Sequence, residues 1–222
     1  MQRIPEEELM DTDAQARAYA QADFDEPHDM FIELFKEAFP GEDITGQVLD
    51  LGCGPADISI RFARVFPQCR IDGVDGAEAM LAYGREAVAS AGLADRIHLV
   101  HGRLPETTLP RQDYEAVICN SLLHHLHDPM VLWESVKRYA GRRAPVFIMD
   151  LMRPESREQA QWMMDEYLGD EPEILRQDFF NSLLAAYIVA EVQQQLQQAG
   201  LDHLTTRVVS DRHMTVAGWA GI

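Results

Sequence analysis

The chain has 222 residues, 46% of them hydrophobic, enough to bury a core without help from a disulfide or a metal. Its 19 Lys and Arg stand against 37 Asp and Glu, and the resulting charge of −18 repels phosphate backbones and anionic bilayers, which disfavours nucleic-acid partners. No apolar run approaches the ~18 residues of a membrane span, and the start MQRIPEEELMDTD lacks the basic and apolar stretches of a secretory signal. A cytoplasmic protein without membrane insertion is expected, and the odd, unpaired cysteines Cys53, Cys69 and Cys119 suit reduced thiols there.

Residues 1–45 are expected to form a helical, acidic cap. Met30, Phe31, Leu34, Phe35 and Phe39 recur at helical spacing, so this stretch packs one face on the core before Pro40 and Gly41 end it. From residue 46 to residue 222 the texture changes to alternating strands and helices. Strands are expected at 47–51, 70–74, 97–100, 116–119 and 145–149, with helices after the first, second and fourth. That rhythm implies parallel pairing with right-handed crossovers. A polar insertion at about 153–180 carries eight acids and three arginines and is expected to form a lid. A helix at about 182–199, stopped by Gly200, and two strands at 205–209 and 213–217 complete the chain. The short link SDR between the last two strands suggests a hairpin, which makes one of them antiparallel. The expected fold class is therefore α/β: a seven-stranded, mostly parallel sheet with one antiparallel strand and helices on both faces.

The strongest local signal is VLDLGCGPADISI, a strand feeding a loop with Gly52 and Gly54 and then a helix. Glycines there let the backbone turn sharply and let a ligand lie against main-chain atoms. Asp75 ends the second strand about 20 positions later, where an acid can accept hydrogen bonds from both hydroxyls of a ribose. A dinucleotide site would place its third glycine at Asp57, and an acid there, with Asp50 just before the loop, opposes a pyrophosphate. The same acids suit S-adenosylmethionine (SAM), which has no phosphate and carries an ammonium and a sulfonium.

Over about residues 45–151 these motifs resemble the class I SAM-dependent methyltransferases, a family with a Rossmann-like sheet. The resemblance implies that Asp50, Gly52 and Gly54 cradle the methionine part and ribose of SAM, and that Asp75 and Gly76 hold the ribose. Met80 packs on the adenine in this analogy, and Gly102, Arg103 and Leu104 follow the third strand. Arg103 stands where the family usually has an acid. The segment NSLLHHLHDP resembles small-molecule members such as the ubiquinone and menaquinone methyltransferases, and implies Asn120 and Ser121 at the methionine end. The signature of amino-group methyltransferases, Asn or Asp followed by Pro-Pro and an aromatic, is absent.

The run HHLHD tempts a metal assignment, but ligands at i, i+1 and i+3 do not converge on one helix face and no HExxH or Cys partner follows, so no metal is expected. His125, His124 and Tyr19 are the candidate general bases. Asp150 and Arg153, at the carboxyl end of the fifth strand, are expected to contact substrate. Trp162, Met163, Met164, Tyr167, Phe179 and Phe180 line an apolar substrate pocket, pack the lid, or form a homodimer contact. The expected function is methyl transfer from SAM to a small-molecule acceptor, with S-adenosylhomocysteine (SAH) as product. The alternatives are a SAM-using enzyme of other chemistry, a non-catalytic SAM-binding scaffold, and an NAD-dependent oxidoreductase.

Overall fold

A computed structural model of the protein describes residues 1–221. Helices α1 (Asp13–Gln21) and α2 (Asp25–Ala38) precede β1 (Gln47–Leu51), α3 (Asp57–Val65), β2 (Arg70–Asp75), α4 (Glu78–Ser90), β3 (Ile97–His101) and β4 (Ala116–Asn120). A single 3-10 turn, Leu123–His125, leads to α5 (Met130–Tyr139) and β5 (Pro145–Leu151). The chain continues through α6 (Arg157–Leu168), α7 (Glu173–Ala185), α8 (Val189–Ala199), β6 (Thr205–Val208) and β7 (His213–Trp219). The seven strands form one sheet in the order β3-β2-β1-β4-β5-β7-β6, parallel except for β7, which is antiparallel to both β5 and β6. This is the expected fold class. Among the described residues no helix is long and apolar enough to cross a membrane.

The period-two alternation of the central strands divides the core between the two faces of the sheet. On one face Leu49, Val117, Val146 and Ile148 pack with Trp133 and Val136 of α5 and Leu196 of α8. On the other, Val48, Ile118 and Phe147 meet Phe31 and Phe35 of α2 and Phe62 of α3. Phe35 is the hub of this second cluster, with ring centroids 4.9 Å from Phe62, 5.1 Å from Phe39 and 5.7 Å from Phe147. The strands β4 and β5 are buried on both faces, and only the edge strand β6 is largely exposed, as a covered parallel sheet requires.

One expected element is corrected. The helix placed at about 182–199 is the end of α7 and the whole of α8, separated at 186–188. The break lets Tyr187 pair with Met152 as a parallel bridge, and Ile188 N–H then starts α8 by donating to the Glu191 carboxylate at 3.0 Å. Helical spacing runs through this gap, so tertiary pairing overrides the local pattern. α6 and α7 pack on each other through Met163, Leu183 and Leu184, over Leu151 at the end of β5.

Phe35→Ala is expected to destabilise the chain by about 3–5 kcal/mol, because it empties the junction of α2, α3 and the sheet. Equilibrium denaturation with unchanged far-ultraviolet dichroism in buffer checks this.

Candidate functional site

A cavity of about 860 Å³ opens at the carboxyl ends of β1, β2 and β4, within the usual range for a small-molecule site. Its floor is the loop after β1. Gly52 has φ +72°, and a Cβ there would stand 2.8 Å from the Leu122 side chain, so this turn admits no side chain. Gly54 has φ +51° and no atom within 4 Å of a would-be Cβ, which leaves its main chain open to a ligand. Asp75 holds the loop from β2: one carboxylate oxygen accepts from Gly54 N–H and the other from Ala77 N–H, both at 2.8 Å. Burial raises the Asp75 carboxyl, and these two main-chain donors only partly offset it.

Asp50 lies deeper. It is 1% exposed, accepts from Ser59 Oγ at 2.6 Å, and burial pushes it up to about 7. Asp57 sits at the first position of α3, where it takes His28 Nδ1 at 2.5 Å and Arg61 Nε at 2.8 Å. Burial acts against its charge, but the hydrogen bonds from His28 and Arg61 outweigh it and hold it below the ordinary value. Met80 packs with Ala16 and Ala77 in a small cluster that also touches Tyr19. Asn120, at the end of β4, leaves its buried Oδ1 without a hydrogen-bond partner. Ser121 follows at φ +56°, donating its N–H to Met149 O.

The 3-10 turn puts His124 and His125 side by side, with ring centroids 4.2 Å apart. Asp150 organises this turn by accepting from Leu123 N–H at 2.7 Å and from His124 Nδ1 at 2.6 Å. Burial disfavours the charged His124 ring, but Asp150 outweighs it and raises the group, whereas burial and the neighbouring His124 push His125 well down. Burial likewise pushes the Tyr19 hydroxyl up, which keeps it protonated.

Every residue expected to hold the cofactor lines this one cavity, together with Tyr19, His124 and His125. Asp150 and Arg153, expected to contact substrate, do not line it. Asp150 is consumed by the turn, and Arg153 ties the lid to α8, donating to Ala186 O at 3.0 Å and to Glu191 at 2.7 Å. Of the lid residues, Tyr167 and Phe179 face the cavity, Met163 and Met164 are buried in the lid, and Trp162 is 53% exposed.

Sequence reasoning missed the N-terminal segment ahead of α1. Glu8, Leu9 and Met10 form a wall of the cavity. Glu8 pairs with Arg103 and accepts from His127 N–H at 2.9 Å, so an acid reaches the region after β3 from elsewhere in the chain. Glu6 inserts beside the histidines, and Asp178 and Ser182 arrive from α7. The acidic run EEE has the composition of a solvated surface, and nothing in it distinguishes Glu6 or Glu8.

Comparisons with known proteins agree with this fold. Residues 48–140 match the family described as a methyltransferase domain. A demethylmenaquinone methyltransferase of Listeria monocytogenes is 32% identical over 108 residues, which are 48% of this chain and 45% of that protein. An uncharacterised protein of Synechococcus is 31% identical over 83 residues, 37% of this chain and 20% of that one. The matched region thus spans less than half the length of these curated relatives. Among solved structures, a SAM-dependent methyltransferase from Aquifex aeolicus superposes with a TM-score of 0.65 at 18% identity, covering 94% of this chain and 98% of that one. Phosphoethanolamine N-methyltransferase 2 of Haemonchus contortus, in complex with SAM, gives 0.65 at 15% identity over 88% of this chain and 43% of that one. At those identities the likeness is one of fold.

Folding raises Asp50 from 3.8 to about 7, so the native state favours its protonated form. The stability this group contributes is present at acid pH and is lost as pH rises through that interval. Asp50→Asn is therefore expected to melt several degrees above the parent chain at pH 8 without ligand, and level with it near pH 4. Melting curves at the two pH values test the sign.

Proposed function

We infer that this chain, which belongs to the class I SAM-dependent methyltransferases, moves the methyl group of SAM to a small-molecule acceptor held beneath the lid. The observation that carries the reading is the Asp75 carboxylate, fixed by two main-chain amides beside an open Gly54. The residues fit the cofactor. Gly52 permits the turn and Gly54 leaves room for its methionine part, the orphaned Asn120 Oδ1 supplies an acceptor for a donor such as its ammonium, and Asp75 supplies acceptors for ribose hydroxyls. Gly76, Met80, Gly102, Arg103, Leu104 and Ser121 complete the binding wall. Bound there, SAM supplies an electrophilic methyl on a sulfonium.

The chain's own part is to position the acceptor and exclude water. Bringing a nucleophile to about 3–3.5 Å of its target accounts for most of the acceleration in such a displacement. Of the three groups expected as bases, Tyr19 is held protonated, and His124 has committed Nδ1 to Asp150. His125 lines the cavity and burial holds it neutral, so of the three it is the one that meets the acceptor end uncharged. Tyr167, Leu175 and Phe179 give the acceptor pocket an apolar side, and Asp178 and Ser182 a polar one.

A dinucleotide cofactor is disfavoured, because the Asp57 carboxylate already occupies the N-terminal turn of α3 where a pyrophosphate would lie. The charge of −18 speaks for a small acceptor and against nucleic acid. The listerial relatives' quinone substrate is one candidate class, but the aligned region leaves out more than half of those proteins.

Asp75→Asn is expected to weaken SAM and SAH at least tenfold in titration calorimetry and to lower the melting temperature, because one of the two main-chain amides loses its acceptor. His125→Ala is expected to lower turnover more than tenfold with SAH affinity within about twofold, read as methyl transferred to acceptors from labelled SAM. Absence of any heat with either compound on the ligand-stripped chain would overturn the reading.

A further inference from the structure

Glu6, His124 and His125 converge at the histidine end of the cavity in a way that hydrogen bonding does not explain. Glu6 Oε1 lies 3.3 Å from His125 Nδ1 and 3.7 Å from His124 Nε2, and the three ligand atoms all fall within 4.8 Å of one another. Yet Glu6 Oε1 and His125 Nδ1 are both buried without a hydrogen-bond partner. With neither atom carrying a proton, two lone pairs face each other at contact distance, which is costly in a buried site. A cation between them removes that cost.

We propose that Glu6, His124 and His125 bind one divalent transition-metal ion, of the zinc class, at the acceptor end of the cavity. A tetrahedral ion with bonds near 2.0–2.1 Å separates its ligand atoms by about 3.4 Å, close to the two distances observed. The orientation suits it as well. His124 Nδ1 is bound to Asp150 at 2.6 Å, which directs Nε2 toward Glu6, the carboxylate–histidine arrangement that supports many metal sites. The other Glu6 oxygen accepts from Ser182 Oγ at 3.3 Å, so Oε1 alone is offered. The charge balance also fits: the carboxyls of Glu6, Asp150 and Asp178 surround the histidines, against the single guanidinium of Arg3. The linear spacing of the histidines concealed the site, because the 3-10 turn brings neighbours together and the third ligand is more than a hundred residues away.

Three protein ligands leave a position on the side where His124 and His125 line the cavity. Resting on the methyl-transfer reading above, that position would hold an acceptor through an ionisable oxygen or sulfur. The acceptor atom loses its proton to solvent on binding and forms the new bond to the methyl carbon. The carbon–sulfur bond of SAM breaks with its electron pair on sulfur, and neutral SAH leaves.

The test is a cobalt(II) titration of the full, chelator-treated chain, followed by visible d–d absorption, with SAH calorimetry on the same samples. One equivalent with a distinct band is expected. Glu6→Gln should weaken it at least tenfold and His125→Asn should abolish it, while both keep SAH affinity within about twofold. Glu6 lies outside the helices and strands, so Glu6→Gln leaves the fold to be assayed. No band from the parent chain, or a band indifferent to both substitutions, overturns the proposal. A band without SAH heat leaves the metal site standing and removes the cofactor reading instead.

Discussion

The site rests on the Asp75 carboxylate spending both oxygens on main-chain amides. Gly54 N–H reaches it from the loop after β1, and Ala77 N–H from the turn after β2. Two adjacent parallel strands are thereby tied at their carboxyl ends, where an open α/β sheet places its ligands. The glycines are the condition for this bond. A side chain at Gly52 would run into Leu122, and the loop could then not fold back toward β2. A carboxylate anchored in this way keeps its remaining lone pairs aimed outward, so the loop and its ligand-facing acceptor are set before any ligand arrives.

A second constraint joins this cofactor half to the rest of the molecule. Arg3 donates to Ala185 O at 2.5 Å, His124 O at 2.9 Å and Leu126 O at 3.1 Å, and its guanidinium lies over the Tyr187 ring. The end of α7, the 3-10 turn and the N-terminal segment are therefore held by one side chain. The buried Asp150 does comparable work beneath it, fixing the turn that carries the histidines. Neither residue needs to touch a ligand for its loss to disturb the site.

The parts legible in the sequence were those with a local signature. Alternating strands and helices, the GCG loop and an acid at the end of the second strand all depend on spacing within a few tens of residues, and so the sheet and one wall of the cavity follow from them. What escaped is long-range. Glu6 and Glu8 cross the chain to reach His125 and Arg103, Asp150 turns inward to the histidine turn, and Arg153 is drawn to Glu191. The break between α7 and α8 belongs to the same class, since its cause is a bridge to Met152. Composition assigns such acids to solvent, and periodicity cannot see a partner on another element.

The segment ahead of α1 is bonded to α7 through Ile4 N–H, which donates to Leu184 O at 3.0 Å, and reaches the other side of the cavity through Glu8 and Leu9. One strip is thereby shared by the cofactor side and the acceptor side of the cavity, so two occupants would meet the same residues. Such an arrangement makes the two occupants' affinities reciprocal: whatever factor the first imposes on the second, the second imposes on the first.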